Sequence, residues 1–180
     1  MNKYAIHQPM SRTISFFVSI SLWLFLGACS IKYSASGASI DPAAKTVLVR
    51  FIENRAPQNN PQLSQQVTEK LRTKILAQTA LTQTNDQNAD YEFKGTITGY
   101  SVSNAAVTDI DKPASARLTI TLNITLIKRV GDKKGFTSQS FSRSADFDAG
   151  KTVTEVEPRL LGEIVPNLVD DVFNRAFANW

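Results

Sequence analysis

One stretch of this 180-residue chain has the layout of a phosphate-gripping loop. Ala145-Asp-Phe-Asp-Ala-Gly-Lys-Thr152 follows a predicted strand, precedes a predicted helix and ends in Gly150-Lys151-Thr152. Such loops work by aiming backbone N–H groups and a lysine at anionic phosphates. Here Asp146 and Asp148 would repel that anion, and Ala145 stands where the first glycine belongs, so the stretch reads as a charged strand-to-helix turn. A second cluster, Lys128, Arg129, Lys133 and Lys134, brackets a turn at Val130-Gly131-Asp132. Four cations against one acid could hold the phosphates of a lipid headgroup; they could equally be a solvated turn that blunts strand ends with charge. Asp170 and Asp171 are neighbours and would point about 100° apart on a helix, so they make no catalytic carboxylate pair. Asp109 and Asp111 lack the glycine and glutamate of a calcium loop.

The chain has one Cys and one His. Residues 1–28 open with Lys3 and Arg12 and no acid, then run apolar over Ile14–Leu26 and end in Leu26-Gly27-Ala28-Cys29. That is the charged, apolar and small-residue order of a secretory signal, too short to span a bilayer comfortably. Leu-Gly-Ala-Cys at that place resembles a bacterial lipobox. The resemblance implies a diacylglycerol on the Cys29 thiol, cleavage before Cys29 and acylation of the new amine by a chain such as palmitate. No acid follows closely behind, which by lipoprotein rules implies the inner leaflet of the outer membrane, facing the periplasm. With residues 1–28 removed, 20 basic residues lose Lys3 and Arg12 against all 16 acids, leaving about +2. His7 and both Met depart as well. What remains offers no intrachain disulfide, no His/Cys metal cluster, no histidine base and no Cys–His pair, and calls for no cofactor. A charge near +2 is weak for a nucleic-acid binder. A non-enzyme that works by binding is the expectation.

The elements that must position these groups follow from periodicity. Residues 29–45, small and polar with Pro42, read as a tether, and the folded domain as 46–180. Thr46–Ile52 is apolar on both faces, as a well-buried strand would be. Asn60-Pro61 supplies an N-cap and a first-turn proline, and Leu63, Val67, Leu71 and Ile75 then form one helical stripe. Leu81 and its neighbours could add a short strand. Tyr91, Phe93 and Ile97 alternate with Glu92, Lys94, Thr96 and Thr98, predicting a strand exposed on one side. Gly95 and Gly99 fall on its apolar side, where a helix could approach. Ser103–Ser115 reads as a long loop. Arg117–Lys128 is the clearest strand, with Leu118, Ile120, Leu122, Ile124 and Leu126 facing one way. Gly131–Gly135 turns into a last strand, Phe136–Phe147, with Ser138, Ser140, Ser142 and Ser144 on one face. From about Thr154 the chain is helical, with capping-box spacing at Thr154 and Glu157. Pro166 lies inside that helix, where a kink or break is expected. The order β-α-β-β-β-α gives an α+β two-layer sandwich, with both helices on one face of a mostly antiparallel four-stranded sheet. The other face would be rich in Ser and Thr, suited to water or to a polar protein interface.

Four stretches, taken with the lipobox, resemble the short form of the LPS-assembly lipoprotein family LptE. They are Tyr33-Ser-Ala-Ser-Gly-Ala-Ser-Ile40, Phe93-Lys-Gly-Thr-Ile-Thr-Gly-Tyr100, Ser140-Phe-Ser-Arg-Ser-Ala-Asp-Phe-Asp148 and Phe173-Asn-Arg-Ala-Phe-Ala-Asn-Trp180. The resemblance implies a two-helix, four-stranded α+β domain that plugs the outer-membrane barrel LptD, assists its assembly and binds lipopolysaccharide. The hydroxyl-rich sheet face would suit a polar barrel lumen. The candidate lipopolysaccharide-binding residues remain Lys128, Arg129, Lys133 and Lys134. The alternative is a free-standing periplasmic lipoprotein that carries or senses an amphiphile with no barrel partner. A periplasmic hydrolase is disfavoured by the lack of a nucleophile–base pair.

Overall fold

The structure is a computed structural model that describes residues 40–58, 60–104 and 115–178. Cys29, the signal, most of the tether, Asp109 and Asp111 lie outside the described residues. The elements are β1 (Thr46–Val49), β2 (Glu53–Asn54), α1 (Pro61–Gln78), β3 (Thr82–Gln83), β4 (Tyr91–Asn104), β5 (Ser115–Lys128), β6 (Phe136–Asp148) and α2 (Val153–Phe177).

The two-helix α+β architecture is as expected, but the sheet is six-stranded and mixed rather than four-stranded and largely antiparallel. Its order is β3-β1-β4-β5-β6, with β2 also on β4. Strands β1 and β2 pair in parallel with β4, and β1 in parallel with β3; only β4-β5-β6 is antiparallel. The parallel half is closed by a side chain. Asp90 Oδ2 accepts from Lys45 N, Thr46 N and Thr46 Oγ1 at 2.8–2.9 Å, while Asp90 N donates to Thr46 Oγ1. Those donors hold the Asp90 carboxyl below its ordinary value. The last residues of the expected tether lie against the fold, with Ile40 and Ala44 packed on the core.

Helix α1 forms where its pattern places it. Asn60 accepts from Gln62 N at 2.9 Å, Pro61 occupies the first turn, and Leu63, Val67, Leu71 and Ile75 are buried. Helix α2 buries both of its ridges, from Val156 to Phe177. The two helices pack on one core shared with the inward side chains of the sheet. Rings of Tyr91, Phe93, Phe173 and Phe177 cluster there. Lys74 ties the helices together by pairing with Asp170 at 2.7 Å.

One expectation for α2 fails, and of the kink or break expected at Pro166 the break is absent. The capping box is absent: the cap is Thr152, with no side-chain bond, and Glu157 is used elsewhere. The helix also runs unbroken through Pro158 and Pro166. The carbonyl deprived of a partner by Pro166 belongs to Gly162, an exposed residue with open space around it, so water can serve instead.

Two bulges set which side chains face which way. In β4 the register passes from Ile97↔Leu122 to Gly99↔Thr121, so Thr98 is the extra residue. Beyond it the facing inverts, Tyr100 turns inward opposite Ile120, and Gly99 joins the polar face. The atoms nearest to either strand glycine belong to β5 rather than to a helix. A methyl at Gly95 would meet Asn123 O and Ile124 Cδ1 at 2.4–2.5 Å, and one at Gly99 would meet Thr121. The second bulge lies between β1 and β2. Val49 pairs with Phe93 and Glu53 with Thr96, four residues along one chain against three along the other. The extra residue leaves Arg50 and Phe51 both exposed before Ile52 returns to the core. Ile52 N, drawn off the ladder, donates to Thr68 Oγ1 of α1 at 3.0 Å.

Candidate functional site

The face of the sheet away from the helices carries the groups that can bind. Thr119, Thr121 and Asn123 lie opposite Ser144, Ser142 and Ser140 in register, and the Thr121 and Ser142 hydroxyls are 3.2 Å apart. Arg117 grips Asp146 with two bonds of 2.6 and 2.9 Å across the same strands. That pairing holds the Asp146 carboxyl below its ordinary value. The polar face is thus the hydroxyl-rich surface expected from the alternation in β5 and β6. Ser138 departs from its row: it sits in left-handed backbone with φ 48°, and its N–H donates to Thr125 Oγ1 at 3.0 Å.

The four hairpin cations come to one end of the sheet but do not form one cluster. Lys128 lies opposite Tyr91 in register, on the helix-bearing side, with its ammonium 5.5 Å from the centre of the Tyr91 ring. Arg129 belongs to the polar face. Its guanidinium donates to Glu92 Oε2 at 2.5 Å and to the Ala89 carbonyl at 2.8 Å. Lys133 and Lys134 are exposed at the turn, beside Gly131 at φ 73°, and carry no side-chain partner among the described residues.

Glu92 is the feature that periodicity missed. Alternation places it on an exposed face, yet only 4% of its side chain is accessible. Arg129 covers it from one side and Arg50 Nε from the other, two guanidiniums on one carboxylate. Burial alone would raise the carboxyl, but the hydrogen bonds and charges of Arg129 and Arg50 outweigh it and hold it below the ordinary value. The trio keeps one net positive charge. Along the bulged edge beside it, Arg50, Phe51, Glu53, Arg55, Lys94, Gly95, Thr96, Asn123, Thr125 and Ser138 line a hollow of about 370 Å³.

The opposite end of the domain holds a larger hollow of about 690 Å³, between the N-terminal ends of α1 and α2. Three of its polar side chains are already engaged with one another. Glu157 Oε1 accepts from Asn60 Nδ2 at 2.8 Å and from the Tyr100 hydroxyl at 2.6 Å. Burial and then the neighbouring Glu157 push the Tyr100 hydroxyl well above its ordinary value, so it stays a proton donor. The loop-like stretch before α2 is no phosphate cradle either. Asp148 takes the Gly150 N–H with its side chain and the Lys151 N–H with its carbonyl. Asp170 and Asp171 are separated as their spacing requires, one bound to Lys74 and the other to Arg143.

No helix among the described residues is long and apolar enough to cross a membrane. The hypothetical protein CT253 from Chlamydia trachomatis shares the fold: it is 9% identical, with a TM-score of 0.51 over 76% of this chain and 100% of that one. Protein XCC0632 from Xanthomonas campestris is 13% identical, with a TM-score of 0.47 over 77% of this chain and 91% of its own. A minor lipoprotein from Acinetobacter baumannii is 14% identical, with a TM-score of 0.46 over 72% of this chain and 91% of its own. No match is found among curated protein sequences. Residues 44–176 match the family model for LptE, lipopolysaccharide assembly, which takes in nearly all of the fold from the Asp90-closed start of β1 to the end of α2; the chain belongs to the LptE lipopolysaccharide-assembly family.

Proposed function

We propose that this protein is an outer-membrane lipoprotein, anchored through acyl chains on Cys29 and facing the periplasm, that acts by binding. It seats inside the LptD barrel, assists that barrel's assembly and helps it insert lipopolysaccharide into the outer membrane. The observation that carries this reading is the family match over residues 44–176. A face of paired hydroxyls, Thr119–Ser144 and Thr121–Ser142, supports it, because such a face can exchange hydrogen bonds with a polar barrel wall. Co-purification from detergent-solubilised membranes tests it. A large barrel protein recovered in about equal amount is the expected result. A chain that emerges alone, still binding an amphiphile, would replace this reading with that of a free-standing carrier.

Lys128, Lys133 and Lys134 are the proposed lipopolysaccharide contacts at the hairpin, with Arg129 bracing them through Glu92 rather than meeting the ligand with its whole guanidinium. Changing the three lysines together to Ser, with Arg129 retained, is expected to weaken lipopolysaccharide binding about tenfold. The salt dependence of binding should become shallower. Unchanged affinity would make these residues a solvated turn.

A further inference from the structure

The hollow beside Glu92 combines three properties that no single strand pattern supplies. First, it has an unpaid positive charge. Arg50 and Arg129 share one carboxylate, Arg55 is answered by Glu53 at 2.9 Å, and exposed Lys94 has no partner among the described residues. Second, it has an aromatic wall: Phe51 is 58% exposed, while every other aromatic ring among the described residues is buried or partly buried. Third, it has short neutral hydrogen-bonding groups on the floor. Thr96 faces Asn123 across β4 and β5, and Lys94 faces Thr125, whose hydroxyl oxygen accepts from Ser138 and keeps its proton free to donate.

The arrangement is built rather than incidental. The extra residue between β1 and β2 turns both Arg50 and Phe51 outward, which regular alternation would forbid. Glu92 then fixes Arg50 by its Nε atom and leaves the two terminal nitrogens of that guanidinium without a partner among the described residues. An arginine pre-oriented in this way loses little freedom when it meets a phosphate, and two nearby cations suit a doubly charged group. An exposed ring offers an apolar platform for the C–H face of a sugar, and hydroxyl and amide groups answer sugar hydroxyls.

We propose that this cleft binds a phosphorylated sugar, with the phosphate between Arg50 and Lys94 and the sugar ring against Phe51. The proposal rests on the lipopolysaccharide reading for the source of the sugar, though not for the chemistry of the cleft.

The test follows backbone amides by NMR in the isotope-labelled full chain, purified in mild detergent. It is titrated with N-acetylglucosamine 1-phosphate, with N-acetylglucosamine and with inorganic phosphate. The sugar phosphate is expected to move the amides of Phe51, Thr96 and Asn123 and to bind at least about tenfold more tightly than either fragment. Phe51→Ala should reduce its affinity to that of phosphate, and Lys94→Gln to that of the neutral sugar. Both positions are exposed, and the remaining amide pattern reports that each variant is folded. Equal affinity for phosphate and sugar phosphate would mean an adventitious anion patch and would overturn the proposal. So would undisturbed amides together with Lys94→Gln reducing recovery of the barrel, which would make the cleft a protein contact. Displacement of the sugar phosphate by lipopolysaccharide names the glycolipid as its source. Sugar-phosphate binding without that displacement keeps the cleft and counts against the lipopolysaccharide reading.

Discussion

Glu92→Gln is expected to destabilise the domain by about 2–3 kcal/mol at neutral pH. Removing one partner from a fully buried ion pair costs about 3–5 kcal/mol, because the remaining charge is left uncompensated. Here the arginines are 43% and 33% exposed, so water softens the loss and the lower figure applies. The glutamine keeps the shape and one acceptor but carries no charge to answer the two guanidiniums. The acid dependence has a definite sign. The folded carboxyl lies below the ordinary glutamate value of 4.5, so its contribution is complete above that value and is lost as pH falls through the folded one. Urea unfolding should therefore show a constant gap between wild type and Glu92→Gln from about pH 7 to about pH 5. The gap should close as pH falls below that range. A variant as stable as wild type at neutral pH would mean that the trio is merely a surface contact. A gap that widened in acid would contradict its charge state.

Periodicity is a good guide where one face of an element is buried and the other wet. That is why β5, α1 and the Ser row of β6 are legible in the sequence. Leu118 to Leu126 alternate without interruption, and the stripe from Leu63 to Ile75 recurs every fourth residue. It is a poor guide to β1. Thr46–Ile52 is apolar on both faces, which is the composition of a parallel strand buried between neighbours as much as of any other. No residue in it names its partners. The parallel pairing is instead closed by Asp90, in a polar stretch that reads only as a turn. The prolines of α2 mislead in the opposite direction. A local rule allows a break, but two buried ridges hold the helix in one piece while the carbonyl freed by Pro166 belongs to exposed Gly162.

The binding surface was legible as composition and hidden as geometry. The hairpin cations are plain in the sequence, yet whether Lys128 and Arg129 share a face depends on the strand's end, and they do not. Arg50, Phe51 and Glu92 carry no signal of their own. Two bulges, each one residue long, decide that Phe51 points outward and that Tyr100 points inward to Glu157. A bulge is a surplus of one residue relative to a partner strand, so it exists only once the pairing is known. One clue was available: Phe51 and Ile52 are adjacent large apolar residues at the end of a strand, and they cannot both face the same core.

Cys29→Ala is expected to have the largest effect of any single substitution, on location rather than on fold. Each buried methylene contributes about 0.8 kcal/mol to membrane attachment; a single acyl chain holds a protein only marginally, whereas two or more hold it stably. On the proposed reading, a diacylglycerol thioether together with an acylated amine would commit the chain to the bilayer, and alanine removes the thiol on which both modifications would depend. Intact-mass measurement should show the acyl chains on the wild type and their absence in the variant, which keeps its signal or is processed elsewhere. Purified wild-type chain should sediment with liposomes, and the Cys29→Ala chain made without residues 1–28 should remain in the supernatant, because it carries neither the acyl chains nor the apolar run Ile14–Leu26. Liposomes are the right arena because they lack the proposed barrel partner. A variant that leaves liposomes but is still recovered with outer membranes is held there by its partner, so the difference between the two measurements separates the anchor from the plug. A wild-type chain without acyl mass, or a variant that sediments with liposomes as well as wild type does, would remove Cys29 as the anchor. The barrel contact would then have to hold the protein at the membrane unaided.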